Sequence, residues 1–193
     1  MITENEKKVM RMLFASLGEP YSINQIAKEC KISPNGAFKI LKKFEAEGII
    51  SAKKIANIKA HSLDFENEKT RNILKLVLIP ELEGRVKYRA EDLKKIKDIV
   101  EVCVLFGSYI TKKEEPNDLD VLFIINPKNF KKFKEASEIT FRTIPIKVHD
   151  VLQTKKDFAS NLRINNVSLE ILKKGVVLWG QDELIEIVEN VYK

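Results

Sequence analysis

The chain has 193 residues, of which 44% are hydrophobic and 32% charged, and a formal net charge of +6. This composition is typical of a globular protein and excludes a largely disordered chain. The longest apolar runs, such as Val102–Phe106, are too short to cross a bilayer, and the start of the chain has no apolar core of signal-peptide length. We therefore expect a cytoplasmic protein with no membrane partner, in which Cys30 and Cys103 are buried thiols.

Three helices are predicted in the first 66 residues. Apolar residues in Glu6–Leu17 recur at helical spacing. Ser22 and Gln25 have the spacing of a capping box, which predicts the start of a second helix. Ser33-Pro34 places a favoured cap before a proline at the first helical position, and this third helix is predicted to end at Gly48. Two short helices joined by a tight turn indicate a helix-turn-helix.

The same region is rich in positive charge. The window Lys28–Lys59 holds eight lysines and three glutamates. The window ends within the segment Ile50–Leu63. A loose alternation of apolar and polar residues in this segment predicts a β-hairpin. Such a charge distribution favours a polyanionic partner, although a solvated helix face rich in lysine is the alternative.

The segment SINQIAKECKISPNGAFKILKKFEAEGII covers the second and third helices and the entry to the hairpin. It resembles the winged helix-turn-helix family. The resemblance implies a DNA-binding domain over residues 1–66, and a homodimer, because winged domains usually read paired half-sites. It also implies that Asn35 and Lys39 approach base edges. The implied phosphate contacts are Lys42, Lys43, Lys53 and Lys54. Winged helices also serve as protein–protein modules, and this alternative stays open.

Residues 67–99 are predicted to form a helical connector. Thr70–Leu78 and Ala90–Val100 both show amphipathic spacing, with Pro80 between them. A connector with its own apolar residues is expected to pack against one of the domains or against a second copy of the chain.

Two predicted strands carry the residues with the strongest chemical meaning. The apolar run Glu101–Phe106 stops at Gly107-Ser108, and a second apolar strand begins with Asp118 and Asp120. Side chains two apart on a strand share a face, so the two carboxylates are expected to project together. A hard divalent cation removes their mutual repulsion. The glycine allows a phosphate to approach the backbone, and the serine adds a hydroxyl and an amide.

The segment VLFGSYITKKEEPNDLDVLFII resembles the nucleotidyltransferase superfamily related to DNA polymerase beta, most closely its minimal nucleotidyltransferase proteins of archaea and bacteria. The tail LKKGVVLWGQDEL is similar to the end of that domain. The resemblance implies an α/β domain with a mixed sheet over residues 100–193, and hence an α+β chain. It implies that Asp118 and Asp120 hold Mg²⁺, with two ions possible, and that Gly107 and Ser108 bind the terminal phosphates of a nucleoside triphosphate, expected to be ATP. Tyr109 either stacks or hydrogen-bonds beside this nucleotide or packs in the core.

The superfamily pattern usually includes a third carboxylate on a later strand, which matches Thr143–Leu152 here. Asp150 is the predicted third catalytic residue. However, the apolar residues at 144, 146 and 148 share a face with position 150 in an uninterrupted strand, so His149 is the alternative occupant unless a bulge intervenes.

These patterns predict a Mg²⁺-dependent nucleotidyltransferase that moves a nucleoside monophosphate to a hydroxyl acceptor and carries a DNA-binding domain. Two alternatives remain. One is a transcriptional regulator whose nucleotidyltransferase-like domain binds a nucleotide or a partner without turnover. The other is an antitoxin-like protein, because the minimal members often modify a separate, toxin-like partner protein. Turnover is favoured if the Asp150 side chain lies on the same face as Asp118 and Asp120. Sensing without turnover is favoured if His149 lies there instead.

Overall fold

The structure is a computed structural model that describes residues 2–55, 57–111 and 116–192. The chain divides into two compact units, Met1–Val77 with Val188–Lys193, and Leu78–Ile187. The fold is α+β with a mixed larger sheet, as predicted at this coarse level. None of the helices in the described ranges combines the length and the apolar character needed to span a membrane.

The first unit contains helices α1 (Glu4–Phe14), α2 (Ile23–Cys30) and α3 (Pro34–Ala46). The predicted capping box at the start of α2 is confirmed: the Ser22 hydroxyl accepts from the Gln25 amide, and the Gln25 side chain accepts from the Ser22 amide. The apolar faces of the three helices are buried; their buried members include Val9, Leu13, Phe14, Ile26, Ala27, Leu41 and Phe44.

A small antiparallel sheet completes this unit. It consists of β1 (Tyr21–Ser22), β2 (Ile50–Ile55) and β3 (Ile58–Leu63), in the order β1-β3-β2. The predicted hairpin is confirmed, with Ile50 paired to Leu63 and Ile55 paired to Ile58.

The second unit is built on a four-stranded sheet. Its strands are β4 (Val102–Phe106), β5 (Asp118–Ile124), β6 (Lys147–Gln153) and β7 (Val176–Trp179), in the order β6-β5-β4-β7. β4 runs antiparallel to both β5 and β7, whereas β5 and β6 are parallel, so the sheet is mixed.

The remaining helices follow β3 along the chain. They are α4 (Glu68–Leu78), α5 (Gly84–Leu93), α6 (Phe130–Arg142), α7 (Lys155–Ile164), α8 (Asn166–Lys174) and α9 (Gln181–Tyr192). Residues 67–99, predicted as a helical connector, contain α4, α5 and the 3₁₀ helix Lys94–Ile99, with non-helical residues at 79–83. They are divided between the two units, with α4 in the first unit up to Val77 and α5 in the second.

One face of the large sheet packs on an apolar cluster. The Phe123 ring lies 5.2 Å from the Phe133 ring and 6.1 Å from the Phe141 ring, measured between centroids. The cluster also contains Trp179, whose indole nitrogen donates to the carbonyl oxygen of Val100 at 3.0 Å. Both cysteines are buried free thiols, as expected. The opposite face of the same strands carries the polar residues described next.

Candidate functional site

The corner after β4 depends on a glycine. Gly107 follows the last residue of β4 and begins a short 3₁₀ helix, Gly107–Ile110, with φ +72. A Cβ at this position would overlap the carboxylate of Asp120. Asp120 of β5 is the residue that pairs with Phe106 of β4. The absence of a side chain at Gly107 is therefore what allows the Asp120 carboxylate to lie against the corner.

The two aspartates share one face of β5. Asp118 and Asp120 alternate with the buried Leu119 and Val121, so both carboxylates lie on the face opposite the apolar cluster. Their side chains are partly exposed, 30% for Asp118 and 25% for Asp120. The structure thus brings together the aspartates and the glycine that the sequence pattern grouped.

The residue beside Asp120 on the neighbouring strand β6 is His149. In the parallel pairing of β5 with β6, Asp120 pairs with His149 and Val121 pairs with Asp150, with no shift of register. The prediction of Asp150 as the third carboxylate is therefore corrected: its side chain belongs to the opposite face. The physical reason is the two-residue alternation of a strand that contains no bulge.

The His149 ring lies close to both carboxylates. Its Nδ1 is 3.1 Å from an Asp118 carboxylate oxygen and 3.7 Å from an Asp120 carboxylate oxygen. One donor atom from each of the three residues falls within 4.8 Å of the others. We call Asp118, Asp120 and His149 the Asp-Asp-His cluster.

The charge of this cluster is only partly compensated within the described residues. Burial raises the pKa of Asp120 above its ordinary value of 3.8, and the neighbouring Asp118 raises it further, while His149 acts in the opposite direction. The ionised form of Asp120 is therefore disfavoured relative to water. A cation bound between the two carboxylates would relieve this cost.

The donor set fits a divalent cation, though Mg²⁺ only in part. Two carboxylates are the ligands that Mg²⁺ takes in proteins, with water and phosphate oxygens in its remaining positions. Imidazole nitrogen suits transition metals better than it suits Mg²⁺. The two aspartates thus match the predicted cofactor, and His149 does not.

Tyr109 lies in the core. Its side chain is 6% exposed and belongs to the apolar cluster, and the Arg85 guanidinium lies 5.1 Å from the centre of its ring. Arg85 Nε also donates to the Tyr109 carbonyl oxygen at 3.1 Å. Burial raises the pKa of the Tyr109 hydroxyl. Stacking of this ring on a nucleotide is therefore corrected to core packing, the other option that the sequence left open.

Ser108 follows Gly107 in the short 3₁₀ helix. Its side chain is half-buried, and its carbonyl oxygen accepts hydrogen bonds from the Thr111 amide at 3.2 Å and the Thr111 hydroxyl at 2.8 Å. These bonds close the short 3₁₀ turn that follows Gly107.

A cavity next to the corner was not predicted. It has a volume of about 270 Å³ and lies between the corner and α8. Its lining is Phe106, Gly107, Ile110, Thr111, Val167, Glu170, Ile171 and Lys174. Sequence reasoning missed the α8 residues because the amphipathic pattern of a helix does not show which part of a sheet the helix covers.

The residues predicted to bind DNA lie on the surface of the first unit. Asn35, Lys39 and Lys42 are exposed along α3. Lys43 differs, because its ammonium group donates to the buried carboxylate of Glu6 at 2.8 Å. Its charge is therefore partly neutralised within the unit, which weakens the expected phosphate contact.

The two predicted lysines of the hairpin are also exposed, but they point to opposite faces of β2. Lys54 pairs with Lys59, whose ammonium group contacts Glu45 of α3 at 2.7 Å. Lys54 thus shares the hairpin face that meets α3, and Lys53 lies on the other face. Phe38, 49% exposed on α3, is an apolar surface residue that the sequence reasoning did not single out.

The comparisons with known proteins give one match. Residues 81–177, about half of the chain, match the model of a family described as a family of unknown function (DUF6932). No curated protein and no solved structure matches the chain. The matched range contains Gly107, Ser108 and the whole Asp-Asp-His cluster, and it leaves out the first unit.

Proposed function

The chain belongs to the family of unknown function DUF6932, and we propose that its second unit is a metal-dependent nucleotidyltransferase. One observation carries the proposal: two aspartates share one face of β5, and the carboxylate of one of them, Asp120, lies against a glycine corner that has no room for a side chain. Carboxylates that hold a cation beside a corner open to phosphate are what nucleotidyl transfer requires.

The corner would bind the triphosphate. In this proposal the backbone after Gly107 and the Ser108 hydroxyl and amide would contact the phosphate oxygens. Asp118 and Asp120 would hold the divalent cation on the same side of the sheet, and His149 lies within reach of that cation. When bound, the cation would neutralise phosphate charge and polarise the phosphorus under attack.

The proposed reaction transfers a nucleoside monophosphate. An oxygen of the acceptor hydroxyl forms a bond to the α-phosphorus, and the bond from that phosphorus to the bridging oxygen of pyrophosphate breaks. The hydroxyl proton leaves to solvent or to a base, and pyrophosphate departs. The triphosphate supplies the leaving group, so no other co-reactant is needed. A hydroxyl of a protein, of a nucleic-acid end or of a small molecule satisfies this reaction, because the same bond is formed in each case.

Transfer of labelled nucleotide tests this proposal. The full chain is incubated with α-labelled ATP, GTP, CTP or UTP, a divalent cation, and candidate acceptors that include proteins encoded beside it. We expect label on an acceptor, and loss of that label in the double variant Asp118→Asn plus Asp120→Asn. Asp150→Asn is the matched control, because its carboxylate lies on the other face of β6, and it should retain transfer. Label transfer that survives the double variant would contradict the proposal.

We further propose that the first unit is a winged helix-turn-helix that binds DNA. The support is the order of its elements, three helices followed by a two-stranded hairpin, and the exposed basic residues along α3 and β2. Lys42 and Lys54 are the strongest phosphate contacts in this proposal, because Lys43 is engaged by Glu6 and Lys53 lies on the other hairpin face.

Salt dependence tests the DNA-binding proposal. Removing two phosphate contacts with Lys42→Ala plus Lys54→Ala should flatten the slope of log affinity against log salt by about two. Lys131→Ala plus Lys132→Ala makes the same change in net charge on exposed α6 and should leave the slope unchanged. A native protein that does not bind duplex DNA at low salt would refute DNA binding, and equal effects of the two double variants would refute this contact surface.

One observation favours the alternative of a regulator that binds nucleotide without turnover. His149 stands where the superfamily pattern has a carboxylate, so the site lacks a third acidic group to activate the acceptor hydroxyl. In that case labelled nucleotide would bind to the native protein and not to the double aspartate variant, and no label would reach any acceptor. An antitoxin-like role predicts transfer only when a partner protein is added.

A further inference from the structure

The third member of the Asp-Asp-His cluster comes from a different strand than the two aspartates. β5 and β6 are parallel neighbours, so His149 lies directly beside Asp120 in the sheet. Three side chains from two strands therefore converge on one point, and their donor atoms all fall within 4.8 Å of one another. This spacing is compatible with three ligand atoms around a single ion.

The orientation of the His149 ring adds to this observation. The nitrogen that faces the aspartates is Nδ1, and its neighbours are two carboxylate oxygens. In a neutral ring without a cation, Nδ1 must carry the hydrogen, since both neighbours are acceptors. Moving that hydrogen to Nε2 leaves a lone pair on Nδ1 that points between the same carboxylates. No rearrangement of the backbone is needed to make His149 a ligand.

The side chains have the freedom to bind a metal. His149 is 44% exposed, so its ring is accessible from solvent, whereas the carboxylates of Asp118 and Asp120 are held closer to the sheet. Gly107 keeps the space beside Asp120 free of any Cβ. An ion can therefore enter from the solvent side and still meet a preformed pair of carboxylates.

Ligand type then decides which ion fits best. Mg²⁺ is a hard cation that takes oxygen ligands and gains little from an imidazole. The affinity of a mixed nitrogen and oxygen site for first-row dications generally rises from Mn²⁺ to Co²⁺. A site with three carboxylates would not discriminate in this way, because all of its ligands would be hard oxygens.

We propose that Nδ1 of His149 is the third protein ligand of this site and that the site takes a first-row transition-metal dication, such as Mn²⁺ or Co²⁺, in preference to Mg²⁺. This inference rests on the proposed function to the extent that Asp118 and Asp120 hold a cation. It goes beyond that function because it assigns a ligand role to His149 and a selectivity to the site. The preference for a transition-metal ion over Mg²⁺ arises because one of the three protein ligand atoms is a nitrogen and the other two are oxygens.

Metal binding to the full chain tests the proposal without any assay of activity. Affinities for MnCl₂, CoCl₂ and MgCl₂ are measured by calorimetry, with free Mn²⁺ followed in parallel by electron paramagnetic resonance. We expect His149→Asn to weaken Mn²⁺ and Co²⁺ by at least about tenfold, with a smaller effect on Mg²⁺. His149→Asp should reduce the preference for Mn²⁺ and Co²⁺ over Mg²⁺, because all three ligands would then be oxygens. Asp150→Asn should change none of the three affinities, since its side chain lies on the other face.

A spectroscopic signature separates direct ligation from an indirect effect. Bound Mn²⁺ in the native protein should show hyperfine coupling to an imidazole nitrogen, and this coupling should vanish in His149→Asn. Because His149 is half-exposed, we expect His149→Asn to keep the native melting temperature in the absence of metal, which thermal unfolding checks.

The outcomes distinguish this inference from the proposed function. If Mg²⁺ binds through the aspartates and His149→Asn weakens all three metals equally or none of them, the inference is overturned while nucleotidyl transfer stands. If the nitrogen coupling and the Mn²⁺ preference are found but no nucleotide is transferred, the inference stands and the enzyme proposal fails. A native protein that binds none of the three metals overturns the inference.

Discussion

Glu6 in the first unit and Asp120 in the second are carboxylates whose negative charge is compensated to very different degrees. In the first unit, Glu6 is 5% exposed and accepts hydrogen bonds from the Thr3 amide at 2.7 Å and from the Lys43 ammonium group at 2.8 Å. In the second unit, Asp120 lies beside another carboxylate and has His149 as its partly compensating neighbour. Glu6 is therefore neutralised by the fold, and Asp120 is not.

The pKa values follow the same contrast. Burial by itself raises the pKa of Glu6, but the hydrogen bonds from Lys43 and Thr3 outweigh burial and hold it below its ordinary value. Burial and Asp118 together raise the pKa of Asp120. A carboxylate whose charge is compensated by neighbouring groups of the protein is interpreted as structural. A carboxylate whose charge the fold compensates only in part indicates a site for an external cation. Four predictions test this contrast, beginning with the largest expected effect.

Gly107→Ala should be the most damaging change. A left-handed backbone costs an alanine about 1–2 kcal/mol. Overlap with the Asp120 carboxylate adds to this cost, so we expect a loss of about 3 kcal/mol in the free energy of unfolding and displacement of the carboxylate. Gly84→Ala is the matched control, since its φ is +51 and no atom lies within 4 Å of the added Cβ. Urea unfolding measures both, and equal losses would contradict the close approach of Asp120 to the corner.

Glu6→Ala should have the second largest effect on stability, because it removes the carboxylate that Lys43 and the Thr3 amide neutralise. The variant removes the acceptor for the Thr3 amide at the start of α1 and leaves Lys43 without its buried partner. We expect a loss of about 1–2 kcal/mol in the free energy of unfolding. Glu4→Ala, in the same turn but exposed, should lose far less. Thermal and urea unfolding decide, and equal effects would show that Glu6 is not a structural carboxylate.

The dependence of stability on pH should have opposite signs for the two carboxylates. The pKa of Glu6 is lower in the folded state, so its contribution is present above its ordinary value of 4.5 and is lost as the pH falls through the folded pKa. The pKa of Asp120 is raised, so the folded protein loses stability as the pH rises from its ordinary value of 3.8 through the folded pKa. Unfolding of the native protein, Glu6→Gln and Asp120→Asn between about pH 3 and about pH 6, in a chelator, should give difference curves of opposite slope. Slopes of the same sign would contradict the contrast.

Asp120→Asn should have the smallest effect, and a favourable one. The amide removes the repulsion from Asp118 and keeps an oxygen that can accept from His149, so without divalent ions we expect the variant to be more stable by less than about 1 kcal/mol. The same variant should lose the gain in melting temperature that divalent ions give the native protein. Asp150→Asn should change neither quantity. A destabilised Asp120→Asn would show that the fold does compensate this charge.

Much of the local structure could be read from sequence, since it depends on neighbouring residues. The capping box of Ser22 and Gln25, the start of α3 at Ser33-Pro34 and the shared face of Asp118 and Asp120 involve positions at most three apart. The predicted strand over Thr143–Leu152 was less accurate at its start, because residues 143–146 form the turn after α6 and β6 begins only at Lys147.

The sequence by itself determined the α+β class, the helices and hairpin of the first unit, and the strand that carries the two aspartates, because periodicity and capping act within a few residues. Only the tertiary structure decided between His149 and Asp150, buried Tyr109 beneath Arg85 and joined Lys43 to Glu6. Each of these outcomes depends on which distant element lies alongside, and the free energy that selects that neighbour comes from packing across the whole unit.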